Sequence, residues 1–86
     1  MSKKILGKDI MFKVADANYE IARRINEIMI ELDLNATEFA KFLGKGKSEI
    51  TRYRSGNHNF TISTIIEIEH KTGHRILSYT SFNKLA

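Results

Sequence analysis

The sequence predicts an all-α domain of four or five helices. Three observations carry that expectation: apolar residues recur three and four apart, glycines at positions 44, 56 and 73 close successive runs, and Asn35 and Thr61 stand where helices would open. With 86 residues and no cysteine, the chain has room for one core, which packing alone must stabilise.

The first helix is expected from Asp16 to Asp33. Ile21, Ile25, Ile28 and Leu32 follow at spacings of four, three and four, which puts them on one face. Glu20 with Arg24, and Arg23 with Glu27, stand i,i+4 on the other side, each pair worth a few tenths of a kcal/mol, on the order of 0.3. Asp33-Leu34-Asn35 breaks this helix, and Asn35 is the N-cap of a second, Ala36 to Leu43, with Glu38 placed for a capping box. Gly44 ends it.

A third helix runs from Lys47 or Ser48 to Ser55, with Ile50 and Tyr53 three apart and Gly56 as its stop. After the loop 57–60, Thr61 is the N-cap of a fourth helix, in which Ile62, Ile65, Ile66 and Glu69 share a face and Ile68 flanks it, ending at Gly73. Its isoleucines are β-branched, yet positions 62, 65 and 66 fit a 3.6-residue period better than a twofold one. Residues 75–82 read as an extended segment or a short final helix, and Ile5 to Val14 has enough apolar residues to dock on a partner. The organisation is therefore an N-terminal segment 1–15, a helical domain 16–73 and a C-terminal segment 74–86, both terminal segments being expected dimer contacts.

Charge is distributed unevenly. Fourteen Lys and Arg against ten Asp and Glu leave a net +4, and residues 41–58 account for all of it, with Lys41, Lys45, Lys47, Arg52 and Arg54 against the single Glu49. A local basic patch points to an acidic partner, whereas a diffuse excess mainly aids solubility.

Other chemistries fit poorly. Gly46-Lys47-Ser48 looks like the end of a phosphate-binding loop, but Lys41 occupies the required earlier glycine and no buried strand precedes it. His70 and His74 are four apart, with Gly73 between them, and neither they nor His58 belong to a metal-binding pattern. Neither a nucleophile elbow nor a paired-carboxylate site is present. No enzyme activity, metal or other cofactor is expected. Without an apolar run of membrane-spanning length or a cleavable signal, a cytoplasmic protein with no membrane partner is expected.

The two short helices and their glycine turn meet the needs of a helix-turn-helix. Counted from Ala36, the fifth position must be small where the helices cross and is Ala40; the ninth needs positive φ and is Gly44. The fourth, eighth, fifteenth and eighteenth positions should be apolar and are Phe39, Leu43, Ile50 and Tyr53. The tenth is usually apolar but is Lys45, whose stem can pack while its ammonium reaches solvent.

The stretch from Leu34 to Gly44, followed by Ser48-Glu49-Ile50-Thr51-Arg52-Tyr53-Arg54-Ser55-Gly56 and Asn59, resembles the Xre-type, lambda-repressor-like helix-turn-helix family without a gap. With the flanking helices the resemblance covers residues 16–73. Besides Lys45, the chain departs from the family in Arg54 where an acid is common, Phe60 where proline is common, and Ala36 where a polar amide is usual.

The resemblance implies a lambda-repressor-like fold and sequence-specific binding of double-stranded DNA, as a transcriptional repressor acting as a homodimer. It places the second helix of the unit in the major groove, with Lys47, Ser48, Thr51 and Arg52 reading bases. Because Ile50 and Tyr53 must face the core, Lys47, Ser48, Thr51 and Arg54 lie largely opposite them, with Arg52 at the edge. Asn35, Asn57, His58 and Asn59 are implied phosphate contacts, and Lys41, Lys45 and Arg54 supply affinity independent of sequence. Glu49 either orients Arg52, accepts from cytosine, or is a solvated charge. Small members of the family resemble antitoxins, so the alternative role is to neutralise a toxin protein while repressing the chain's own operon.

Overall fold

A computed structural model describes residues 2–77, with side chains described from residue 10. It contains four helices, α1 (Ser2–Leu32), α2 (Ala36–Leu43), α3 (Lys47–Arg54) and α4 (Ile62–Thr72), and no strand among the described residues. The expected all-α, lambda-repressor-like architecture is the one observed. The element expected least well is the first, which begins at Ser2 rather than Asp16. No proline interrupts residues 2–15, and Ile10, Val14, Ala17 and Ile21 keep steps of four, three and four, so one helical phase runs through the expected boundary.

The helix ends are set by local chemistry. Asn35 has extended backbone, its Oδ1 accepts from the Glu38 N–H at 2.8 Å, and its own N–H donates to Glu38 Oε1 at 2.9 Å, which completes the capping box of α2. Thr61 likewise caps α4 by accepting from the Thr64 N–H. Gly44 ends α2 with φ 71, while Asp33 takes φ 56 in the turn between α1 and α2, a conformation that aspartate tolerates better than most residues.

One core joins all four helices. Ile21, Ile25 and Ile28 of α1 meet Phe39 and Leu43 of α2, Ile50 and Tyr53 of α3, and Ile65 and Ile68 of α4, with Ile76 closing one end. In α4 the expected face must be corrected: Ile65, Ile68 and Thr72 are buried, whereas Ile62 and Ile66 are 66% and 51% exposed. The inward face lies roughly 75° around the helix from the expected one, a shift less than one residue's 100° step. This rotation accompanies a fold-back of the chain after α4, in which Glu69 Oε2 accepts from the N–H groups of Ile76 and Leu77 at 2.6 and 2.9 Å.

Arg24 secures that fold-back from the other side. Its side chain is buried, yet Nε donates to the Arg75 carbonyl at 2.7 Å and the guanidinium reaches Glu27 and Glu31, so the charge is compensated. His74 Nδ1 lies 2.9 Å from Glu31. Residues 74–77 are thereby pinned to α1 and α4. Tyr79 and Phe82, and most of the expected C-terminal dimer segment, lie outside the described residues.

Candidate nucleic-acid interface

The site begins with the packing of α2 on α3. Phe39, Ala40 and Leu43 of α2 and Ile50 and Tyr53 of α3 are buried in the same core, so both helices are fixed in rotation as well as position. Small Ala40 permits the close crossing. The opposite face of α3 is then open by necessity: Lys47, Ser48, Thr51 and Arg52 are all exposed.

These four side chains offer different chemistry. Arg52 and Lys47 make no side-chain hydrogen bond or ion pair among the described residues, and both present their donors outward; the arginine fork can engage two acceptors at once. Thr51 Oγ1 donates to the Lys47 carbonyl at 3.1 Å, which leaves its lone pairs and its methyl group for an external partner. Ser48, one residue into the helix, retains its hydroxyl as donor and acceptor. Lys41 adds a third cation without a described partner on the exposed side of α2.

Glu49 makes no bond to Arg52 among the described residues and is tied instead to the start of its own helix. Its Oε1 accepts from the Gly46 N–H at 3.0 Å, and because glycine has no side chain to reciprocate, this is half of a capping box. The Gly46-x-x-Glu49 spacing is the local signal for that role.

The other basic residues of the patch are engaged by the body of the domain. Lys45, with a side chain 17% exposed, bridges from the turn to Glu67 of α4 at 3.1 Å. The same carboxylate holds Lys71 at 3.0 Å, and Lys71 also donates to the Leu43 carbonyl at 2.6 Å. The hydrogen bonds from Lys71 and then Lys45 hold the Glu67 carboxyl below its ordinary value, and the bond to Glu67 raises Lys45. The expected packing of the Lys45 stem is present, but its ammonium ends on a carboxylate. Arg54 Nε donates to Asn26 Oδ1 of α1 at 2.6 Å.

The loop after α3 is similarly anchored. His58 packs its ring against Tyr53 and edge-on to Phe60, at centroid distances of 5.1 and 4.7 Å, and Phe60 joins the core from the position where the family commonly has proline. Asn59 Oδ1 accepts from Asn18 Nδ2 of α1 at 2.7 Å. Asn57 remains exposed, its N–H donating to Ser55 Oγ. At the far edge, Asn35 and Arg54 line the same open groove of about 410 Å³ between α1 and the helix pair.

The structure therefore brings the four reading candidates and Lys41 onto the outward side of the helix pair. Lys45, Arg54, His58 and Asn59 are also bonded or packed to other parts of the domain, Arg54 and Asn59 while remaining exposed. Sequence reasoning missed the supporting partners Asn18, Asn26, Glu67 and Lys71, each 22 or more residues from a group it holds. Only Lys71 and Glu67 carry a local signal, as an i,i+4 pair.

Among the described residues no group of histidines and carboxylates is arranged to hold a metal ion, and no helix is long and apolar enough to cross a membrane. A family model described as helix-turn-helix matches residues 25–77, from the last two turns of α1 through α4 to the pinned segment. No curated protein and no solved structure matches the chain.

Proposed function

The chain belongs to the Xre-type, lambda-repressor-like helix-turn-helix family of DNA-binding regulators, and from that premise we propose that it is a sequence-specific repressor acting as a homodimer. The single observation that carries the reading is the division of α3 into a face buried through Ile50 and Tyr53 and an exposed face bearing Lys47, Ser48, Thr51 and Arg52. A helix held so rigidly presents its donors in a fixed pattern, which is what reading base edges in the major groove requires.

In this reading Arg52 addresses guanine O6 and N7, at about 1 to 3 kcal/mol of discrimination, and Lys47 acts on a neighbouring acceptor. Ser48 hydrogen-bonds a base edge. Thr51, its proton already committed, accepts from an exocyclic amine or touches a thymine methyl. Lys41, Asn35 and Asn57 contact phosphates, helped by the unpaired amides at the start of α2. Lys45, Arg54, His58 and Asn59 hold the reading unit against α1 and α4, so that their contribution is mainly to register.

Selection of sites from random duplex DNA, followed by titrations across a salt series, tests this. Arg52→Ala is expected to relax preference at one base position, whereas Lys41→Ala weakens all sequences alike and lowers the salt slope by about one. No enrichment in the selection, or equal losses on every sequence for both variants, rejects the assignment.

A second reading, an antitoxin that also represses its own operon, draws on the apolar side chains exposed away from α3, Ile62 and Ile66 among them. It uses the same DNA surface. Stoichiometric co-purification with the product of the adjacent gene distinguishes it.

A further inference from the structure

The core-facing stripe of α1 continues beyond the core. Ala17, Ile21 and Ile28 are buried, and the same alternation of three- and four-residue steps leads back through Val14 to Ile10 on the same face. There, however, Ile10 and Val14 are 60% and 47% exposed, with Met11 beside them at 71%. A 31-residue helix is about 46 Å long. The molecule measures 49 × 26 × 20 Å, so the N-terminal half of α1 extends past the four-helix body as an arm.

Such an arm has little reason to stay helical alone. About fifteen residues is near the lower limit for an isolated helix in water, and Gly7 within it weakens it further. Its apolar stripe is the face that tertiary contact would have to cover.

We propose that the arm is a homodimerisation element, in which two copies of the chain pair their arms antiparallel. The charge pattern selects this occupant. Residues 1–9 carry Lys3, Lys4 and Lys8 against Asp9, whereas residues 14–20 carry Asp16 and Glu20 with no base. An antiparallel pair lays each basic end along the acidic stretch of the other copy; a parallel pair stacks like on like. Centred on residue 12, the pairing sets Ile10 opposite Val14 of the second copy, and brings position 8 level with Asp16 and position 4 level with Glu20. The arm is its own complement in both apolar stripe and charge.

This register fixes a spacing. From residue 12 to residue 24, the middle of the core-packed part of α1, is twelve steps of rise, so the two domain centres stand about 36 Å apart along the arm axis. Two half-sites one helical turn apart on DNA are separated by about 34–36 Å. The spacing argument rests on the DNA-binding reading; the pairing of the arms does not.

Sedimentation equilibrium of the full chain at micromolar concentration tests the pairing, comparing wild type, the double variant Ile10→Asp/Val14→Asp, and Ile66→Asp as an exposed control on α4. Wild type and control are expected at twice the 9.9 kDa chain mass, and the arm variant at half that value. The arm variant should also lose far-UV helicity while its thermal transition persists, which separates loss of pairing from loss of fold. A monomeric wild type, or an arm variant that remains dimeric, overturns the proposal.

Orientation is read separately, since the chain has no cysteine of its own. Mixed Ile10→Cys and Val14→Cys chains are expected to cross-link to each other faster than either does to itself; preferential self-linking overturns the antiparallel arrangement. On a single half-site duplex the arm variant should match wild type, and on two half-sites it should lose the cooperative gain. Failure of the wild type to bind any selected duplex, alongside a sedimenting dimer, removes the DNA reading and the spacing argument while the arm pairing stands.

Discussion

The Lys71 ammonium of α4 donates to the Leu43 carbonyl at 2.6 Å, so a side chain 28 residues away closes the C-terminal end of α2. The last carbonyls of a helix lack internal partners and carry partial negative charge, which a cation both satisfies and stabilises. Glu67 holds Lys71 from one side and Lys45 from the other. Together they fasten the turn of the DNA-binding unit to a helix outside it.

Lys71→Met is expected to lower unfolding free energy by about 1 kcal/mol, less than a buried charged hydrogen bond is worth because the ammonium is partly solvated. Urea denaturation measures this. Base preference should be unchanged, since the substitution touches neither α3 nor its buried face.

Glu67→Gln releases Lys45 and Lys71 from a shared carboxylate and removes one negative charge near the turn. Affinity for all duplexes should rise, with a salt slope steeper by about one if Lys45 then reaches a phosphate. An unchanged slope across the salt titration would show that Lys45 stays directed away from DNA.

The same cluster predicts how stability depends on pH. Glu67 has a carboxyl lowered from 4.5 by its bonds to Lys71 and Lys45, so its contribution is present above that value and is lost as pH falls through the lower folded value. Lys45 is raised from 10.5, so its contribution is complete below that value and is lost as pH rises through the higher one. Between these limits the cluster adds a constant amount. Comparing urea midpoints of wild type and Glu67→Gln from pH 3 to 7 should show the difference shrinking only on the acid side.

Gly44→Ala and Ile50→Ala separate backbone from packing costs. At Gly44 a Cβ would find nothing closer than Lys71 Nζ at 4.0 Å, so the expected loss of about 1 kcal/mol comes from φ 71 rather than from a clash. Ile50 has no exposed surface, and truncating it opens a cavity at the junction of α1, α2 and α3, for a loss of about 3 kcal/mol. Thermal unfolding of both variants checks the order.

Elements with local signals are legible in the residues themselves. Asn35 with Glu38, Gly44, Gly56, Thr61 and Gly73 bound their helices within a residue of expectation, because caps and positive φ act over a few bonds. The exposed face of α3 followed from the need to bury Ile50 and Tyr53. The start of α1 was not legible. An apolar stripe that packs on the core and one that projects past it have the same periodicity, and no cap marks a boundary between them.

By itself, then, the sequence determined the all-α class, the helix-turn-helix unit, its family and the location of its basic patch, since each depends on spacing and residue type along the chain. Only the tertiary structure decided which cations of the patch are engaged within the domain. Lys47, Arg52 and Lys41 have no described partner, while Lys45 meets Glu67 and Arg54 meets Asn26. The choice of face in α4 was decided at the same level, as the chain after it folded back onto Glu69 and Arg24. Formal charge is additive along a sequence, but the charge presented to a partner depends on which opposite or polar group the fold places within about 3 Å of it.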